Sequence, residues 1–273
     1  MPRLTRVLDD YGFFDAEEMQ ALGRSLAADY QAAEPFPHTV IDEFMSPAML
    51  DVCLRDFPDE SAAEHSYDRD QERYKTSYNP DTLSAPVRSL FYAFNSAPFL
   101  GFLEALTGID GLIPDPYFEG GGFHNTSTGG HLSVHADFNF HKKLKLERRI
   151  NVLVYLNRNW QLEHGGAFEL WDVEMKKCWR KVEPVFNRCA IFNTSSWSYH
   201  GAPDPVAHPD GLPRRSIALY YYTATFDETK RAHTTQYQVR PDSEDRKDWQ
   251  VWSRELALDW TPPALRRLIA RRR

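Results

Sequence analysis

The sequence predicts a mainly β domain of the sandwich or jelly-roll kind, with flanking helices. Three observations carry this. From about Tyr117 onward, strand-like runs follow one another closely, at Ile150 to Leu156, Ala167 to Trp171, Cys189 to Phe192 and Ser216 to Thr225. Turn residues separate them, Gly165-Gly166 strongly and Asn187-Arg188 more weakly. Helical periodicity is confined to the first third and the far end, so the strands do not alternate with helices as βαβ units would require.

The elements follow in order. Ala16 to Ala33 sets Met19, Leu22, Leu26 and Ala27 at helical spacing, with Asp15 placed to cap the start. Pro35-Phe36-Pro37 stops that helix, and His38 to Asp42 reads as a short strand. A second helix opens at Ser46-Pro47, with Ser46 as N-cap, Pro47 at N1 and Met49, Leu50, Cys53 and Leu54 as its apolar stripe; Pro58 ends it. Asp59 to Thr82 is polar and uneven and reads as a long surface loop, its charged part Asp68 to Lys75 solvated rather than a lid. Ser84-Ala85-Pro86 starts a third helix with Val87, Leu90, Phe91, Phe94 and Leu103 as core contacts. Pro98 is a point of interruption, and Gly108 ends the region. After Phe226 the chain turns polar, becomes helical again around Asp248 to Leu258, and ends in an arginine-rich Leu265 to Arg273. The expected organisation is one structural domain: an N-terminal helical region over 1–115, a β core over 116–228 and a C-terminal helical extension over 229–273.

Composition narrows the function classes. The 273 residues are enough for a sizeable core, and a hydrophobic share of 42% excludes disorder along the whole chain. A formal charge of -7 provides no overall field to draw nucleic acid, so none is expected as a partner. Cys53, Cys178 and Cys189 lie far apart without a C-x-x-C pair, which argues for reduced thiols over a disulfide framework or zinc knuckle. Met1 to Gly12 has early charges and no apolar stretch of the secretory kind, and no apolar run reaches membrane-spanning length. A cytoplasmic protein without a membrane span is expected. Arg266, Arg267, Arg271, Arg272 and Arg273 read as a solvated helix end.

The chemistry concentrates in a few residues. His135-Ala136-Asp137 places an imidazole and a carboxylate at i and i+2, which on a strand share one face. His200, beyond the strand and loop Ala190 to Tyr199, supplies a third ligand. Two histidines and one carboxylate cover one face of an octahedral ion and leave positions open for a bidentate co-substrate and dioxygen, the arrangement suited to non-haem iron(II). A second H-x-D, His208-Pro209-Asp210, lies between proline and glycine in a loop, where i and i+2 need not share a face; it is set aside. Arg214-Arg215-Ser216 then opens a strand, where an arginine can aim its guanidinium at a carboxylate, with Ser216 on the face of Arg214. Periodicity alone does not decide which arginine points inward.

In this order, these elements resemble the 2-oxoglutarate- and Fe(II)-dependent oxygenase superfamily, in its prolyl-4-hydroxylase-like branch. The resemblance runs from about Gly120 to Thr225 through His135-Ala136-Asp137-Phe138-Asn139, Arg149 to Asn157 with Trp160, Gly165-Gly166, His200 and Arg214-Arg215-Ser216-Ile217. It implies a double-stranded β-helix (jelly-roll) core and iron ligation by His135, Asp137 and His200. It gives the salt bridge to the remote 2-oxoglutarate carboxylate to Arg214, the first residue of an Arg-x-Ser pattern, and a contact with that carboxylate to Tyr155. Asn151 shares the face of Tyr155 and is a further candidate for the co-substrate pocket, with Ser216. Because Asp137 keeps the carboxylate that related halogenases lack, hydroxylation is favoured over halogenation.

The implied reaction hydroxylates an unactivated C–H bond of a small polar metabolite or peptide side chain, with O2 as oxidant and 2-oxoglutarate decarboxylated to succinate and CO2. Ascorbate is a candidate reductant. Desaturation, epimerisation or demethylation with the same cofactors, a non-catalytic metal-binding jelly roll, and a zinc or manganese protein are the competing readings. Strand parity offers His131, Ser133 and Asn139 as substrate-facing residues, and proximity to the ligand segments adds His124 and Trp197.

Overall fold

In a computed structural model of the chain, residues 14–224, 233–241 and the single positions 243, 245, 246, 249 and 253 are described. The expected C-terminal helix around Asp248 to Leu258, apart from Trp249 and Ser253, the arginine-rich end and Met1 to Gly12 lie outside the described residues. Helix α1 (Ala16–Gln31) starts where its cap predicts, with the Asp15 side chain accepting the Glu18 N–H at 2.8 Å. Helix α2 (Pro47–Arg55) has proline in its first turn, although the Ser46 side chain makes no capping bond. The third predicted helix is two, α3 (Ala85–Phe94) and α4 (Ala97–Thr107), because Pro98 fits a first turn and not a helix interior. Gly108 closes α4 at φ 69°.

Thirteen described strands form one antiparallel sheet system: β1 (His38–Ile41), β2 (His65–Arg69), β3 (Glu72–Tyr78), β4 (Ile113–Pro114), β5 (Gly122–Ala136), β6 (Phe140–His141), β7 (Leu146–Tyr155), β8 (Phe168–Trp171), β9 (Cys178–Val182), β10 (Cys189–Asn193), β11 (Tyr199–Ala202), β12 (Arg214–Thr223) and β13 (Gln236–Tyr237). Eight of them run in the order β1-β10-β7-β12-β5-β11-β8-β9, an antiparallel near-barrel of jelly-roll type flanked by the four helices. This is the predicted class.

Strand alternation decides what each face meets. Val152 and Val154 of β7 and Ile217, Leu219 and Tyr221 of β12 turn outward into a core shared with Phe91, Phe94, Phe99 and Phe102 of the helices. Each of these aromatics is fully buried, and burial of such side chains contributes about 1.5–3 kcal/mol apiece before entropy. The opposite parity, Asn151 and Leu153 of β7 with Arg214 and Ser216 of β12, faces a cavity inside the barrel.

One stretch differs from expectation. Asp59 to Thr82 is not a loop: β2 and β3 form a hairpin, and β3 pairs with β5 from Glu72 opposite Leu132 to Tyr78 opposite Phe123. Its inward face is polar because it borders a polar cavity, so hydrophobic alternation is absent from its sequence. The three cysteines are free, and Cys53 and Cys189 are buried. Among the described residues, no helix is long and apolar enough to cross a membrane.

Candidate active site

His135 and His200 are register partners on the antiparallel pair β5 and β11, which brings their rings to 4.6 Å between centroids. Gly201 allows this approach: a Cβ there would lie 2.9 Å from the Leu132 carbonyl oxygen and from Val134 Cα. Asp137 follows just past the end of β5, with its Oδ1 3.5 Å from His135 Nε2 and its Oδ2 3.3 Å from His200 Nε2. The three ligand atoms all lie within 4.8 Å of one another, and all three residues are buried.

The donor set fits a divalent cation. His135 Nδ1 lies 2.8 Å from the Ser133 carbonyl oxygen, and His200 Nδ1 lies 2.8 Å from that of Ser198. A carbonyl only accepts, so each Nδ1 carries the proton and each Nε2 presents a lone pair. Burial lowers the pKa of His200 and keeps it neutral, although Asp137 opposes this. Two lone pairs and a carboxylate thus converge with no proton between them, which is repulsive unless a cation sits there.

Asp137 is held in its charged form. Burial alone would raise its pKa, but the Arg148 guanidinium above all, with the two histidines close by, holds the carboxyl well below the usual range. Asn151 donates to Asp137 Oδ2 at 2.7 Å, and Arg148 Nη2 lies 3.1 Å from the same oxygen. Arg148 in turn donates from Nε to Asn151 Oδ1 at 2.9 Å and sits over Tyr220, 3.5 Å from the ring centroid, with Phe138 at 4.5 Å.

Arg214 is the inward arginine. It lines the cavity, donates from Nε to the Gly166 carbonyl at 2.7 Å and lies 5.0 Å from the Tyr155 ring centroid. Gly166 has φ 64°, and a Cβ there would fall 2.8 Å from Arg214 Cδ, so the Gly165-Gly166 turn makes room for this side chain. Arg215 points away, stacked over Phe57 at 4.3 Å with Nε 3.4 Å from Asn125 Oδ1. Tyr155 is fully buried; burial, opposed by Arg214, pushes its hydroxyl up to about 12. That hydroxyl makes no fully aligned hydrogen bond in the structure.

A cavity of about 250 Å³ joins these groups. Of the sequence-predicted residues, His135, Asp137, His200, Arg214, Ser216, Asn151, His124 and His131 line it. Asn151 does so while committed to Asp137. Ser133 does not line the cavity: β5 pairs His135 with His200 but Leu132 with Ala202, and this irregularity reverses strand parity, so Leu132 lines instead. Asn139 and Trp197 lie in a separate groove with Phe36 and Pro37, because β5 ends at Ala136 and parity does not extend to Asn139. Trp197 is 62% exposed there. His208 packs edge-on against His164, 4.3 Å between centroids, and at a tilt against Trp160 at 5.2 Å, outside the cavity lining. The sequence reading missed Arg148, Phe138, Tyr220, Tyr237 and the hairpin residues Tyr67, Arg69, Glu72 and Lys75, all in the lining. Arg148 lies two residues before the predicted strand Ile150 to Leu156, and the observed strand reaches back to include it.

Comparisons with known proteins agree with this geometry. Residues 121–222 match the family described as the 2OG-Fe(II) oxygenase superfamily. No curated protein sequence matches the chain. Among solved structures, a prolyl-4-hydroxylase from Pseudomonas putida is similar at 17% identity over 74% of this chain and 99% of that one, with a TM-score of 0.53. A prolyl hydroxylase from Trichoplax adhaerens, in complex with a hypoxia inducible factor peptide fragment, gives 16% identity over 76% and 91% and a TM-score of 0.53. HygX from Streptomyces hygroscopicus, bound to nickel, 2-oxoglutarate and hygromycin B, gives 12% identity over 81% and 93% and a TM-score of 0.51. At these identities the structural likenesses establish the fold. The matched segment contains the strands that bring His135, Asp137, His200 and Arg214 to one cavity, and over residues 121–222 the chain matches the 2OG-Fe(II) oxygenase superfamily.

Proposed function

We propose that the chain is an Fe(II)- and 2-oxoglutarate-dependent dioxygenase that hydroxylates an unactivated C–H bond of a small polar molecule or a peptide side chain. The observation that carries this reading is the convergence of two imidazole lone pairs and one carboxylate in the cavity that Arg214 also lines. His135, Asp137 and His200 would hold ferrous iron. When bound, iron with 2-oxoglutarate and O2 supplies the oxidising power, as the co-substrate is converted to succinate and CO2.

The remaining roles belong to the chain's own residues. The Ser133 and Ser198 carbonyls fix the imidazole tautomers, and Asn151 with Arg148 fixes the Asp137 carboxylate. Arg214 is half-buried and lacks an acidic partner among the described residues, so a dicarboxylate is suited to complete it. Tyr155 does not line the cavity but lies against Arg214; protonated at neutral pH, it has a hydroxyl proton for the same carboxylate once Arg214 engages it, and Ser216 supplies the hydroxyl of the lining itself. The similar structures bound to a peptide fragment and to hygromycin B support leaving both peptides and small molecules within range.

The test is anaerobic titration of the purified protein with Fe(II) and 2-oxoglutarate, following the weak visible charge-transfer band of a chelated complex. A band that Asp137→Ala removes supports the reading. Well-folded, metal-loaded protein without a band would sink it, as would turnover supported by zinc or manganese alone.

A further inference from the structure

The cavity mouth carries a charge pattern that iron and 2-oxoglutarate do not use. Tyr67, Arg69, Glu72 and Lys75 of the β2–β3 hairpin line it, facing Tyr237. Glu72 is 5% exposed, with one carboxylate oxygen 2.7 Å from Lys75 Nζ and the other 3.1 Å from Arg69 Nη2. Arg69 Nη2 also donates to the Tyr237 hydroxyl at 3.0 Å. One carboxylate thus lies between two cations.

Across the lining, Arg69, Lys75, Arg148 and Arg214 stand against Glu72 and Asp137, an excess of two positive charges. A ferrous ion and dianionic 2-oxoglutarate cancel formally, so the excess persists when both are bound. Excess charge in a cleft with low-dielectric walls attracts and concentrates the opposite ion. The cavity, about 250 Å³, falls below the ~300–1,000 Å³ usual for ligand pockets, and it must also admit the co-substrate. Only a small part of a substrate therefore enters, and its charged group meets the hairpin. Glu72 itself shows what suits that position, since its two oxygens engage both cations at once.

We propose that the substrate carries a carboxylate that docks on Lys75 and Arg69 while the neighbouring C–H bond faces the His135, Asp137 and His200 centre. The inference rests on the dioxygenase reading above. The carboxylate belongs either to a free small acid or to an acidic side chain of a peptide.

The test is fluorine NMR on anaerobic protein loaded with Fe(II) and 2-oxoglutarate, comparing trifluoroacetate with trifluoroacetamide. Trifluoroacetate is expected to bind and broaden near the ferrous ion, and the amide is not. Lys75→Gln should weaken trifluoroacetate binding by about fivefold or more, and Glu72→Gln should strengthen it, because the two changes move the cavity charge in opposite directions. Equal binding of the amide, or weakening by both substitutions as a purely structural ion pair would give, overturns the proposal. The chelate band recorded in the same samples separates the two readings. Its absence counts against the dioxygenase, whereas a normal band without carboxylate preference counts against the subsite alone. Displacement of trifluoroacetate by N-acetylglycine but not by a blocked Gly-Asp-Gly peptide assigns a free acid; the reverse assigns a peptide.

Discussion

Arg148 reaches within 3.1 Å of Asp137 Oδ2 although the two arise from different strand ends, and it does so as a charge without an aligned hydrogen bond from Nη2. Asn151 supplies the aligned bond to that oxygen. Burial, which alone would lower the Arg148 pKa, is outweighed by Asp137, and the net shift is upward. The pair is a buried ion pair with one site kept open to a further cation.

Replacing Arg148 by Met should therefore destabilise the metal-free protein by about 3–5 kcal/mol, because it leaves a buried carboxylate uncompensated. A bound divalent ion supplies the missing positive charge, so saturating Ni(II) should restore much of the loss. Urea unfolding with and without Ni(II) checks this; an equal loss in both states would mean that Arg148 matters only for packing.

Asn151→Ala removes a neutral donor and leaves the charge balance intact. Metal affinity should fall by about 10- to 100-fold, the usual cost of losing an outer-shell partner. Alanine at His135, Asp137 or His200 should abolish turnover altogether. Competition of the apoproteins with a chelating dye for Ni(II) measures both, and unchanged affinity in Asn151→Ala contradicts its orienting role.

Arg214→Gln should raise the 2-oxoglutarate concentration for half-maximal formation of the chelate band by about tenfold or more, the scale of a lost charge-assisted bond. Arg215→Gln, which loses a stack on Phe57 outside the cavity, should leave that concentration nearly unchanged. Gly166→Ala should act in the direction of Arg214→Gln, since its Cβ would press on Arg214 Cδ from a left-handed backbone. A larger defect in Arg215→Gln would reverse the assignment of the two arginines.

Glu72 links stability to pH. Burial would raise its pKa, but Lys75 and Arg69 outweigh burial and bring it below the ordinary 4.5. A carboxyl lowered on folding contributes stability that is complete above 4.5 and is lost as pH falls from there through the folded value. Wild type should thus exceed Glu72→Gln in unfolding midpoint at pH 7, and the gap should close in acid. A gap that stays constant down to pH 3 speaks against the ion pair as its source.

What the sequence disclosed follows from physics that leaves a periodic trace. The flanking helices, the β core and the triad were legible because apolar spacing and ligand spacing are local. The hairpin was not, since Glu72 and Lys75 both line a polar cavity across a register shift at Arg73 to Lys75, so the segment carries no hydrophobic alternation. Ser133 was misplaced by the irregularity between Leu132 and His135. Arg148 escaped for a related reason: β12 pairs Tyr221 with Ile150 but Tyr222 with Arg148, and this shift carries Arg148 to the cavity side, where simple alternation from Asn151 would not put it. Irregularities of this kind depend on the partner strand, which a single chain read in order does not reveal.

The ladder between β3 and β5 has an engineering consequence. The strand that delivers His135 also anchors the roof of the opening, and backbone pairing is indifferent to which side chains project from it. Positions 67, 69, 72 and 75 can therefore be rewritten together, Glu72 changing with the two cations it pairs, while the oxidising centre keeps its frame. A laboratory-evolution library confined to those four codons would explore new substrates on an unchanged chassis.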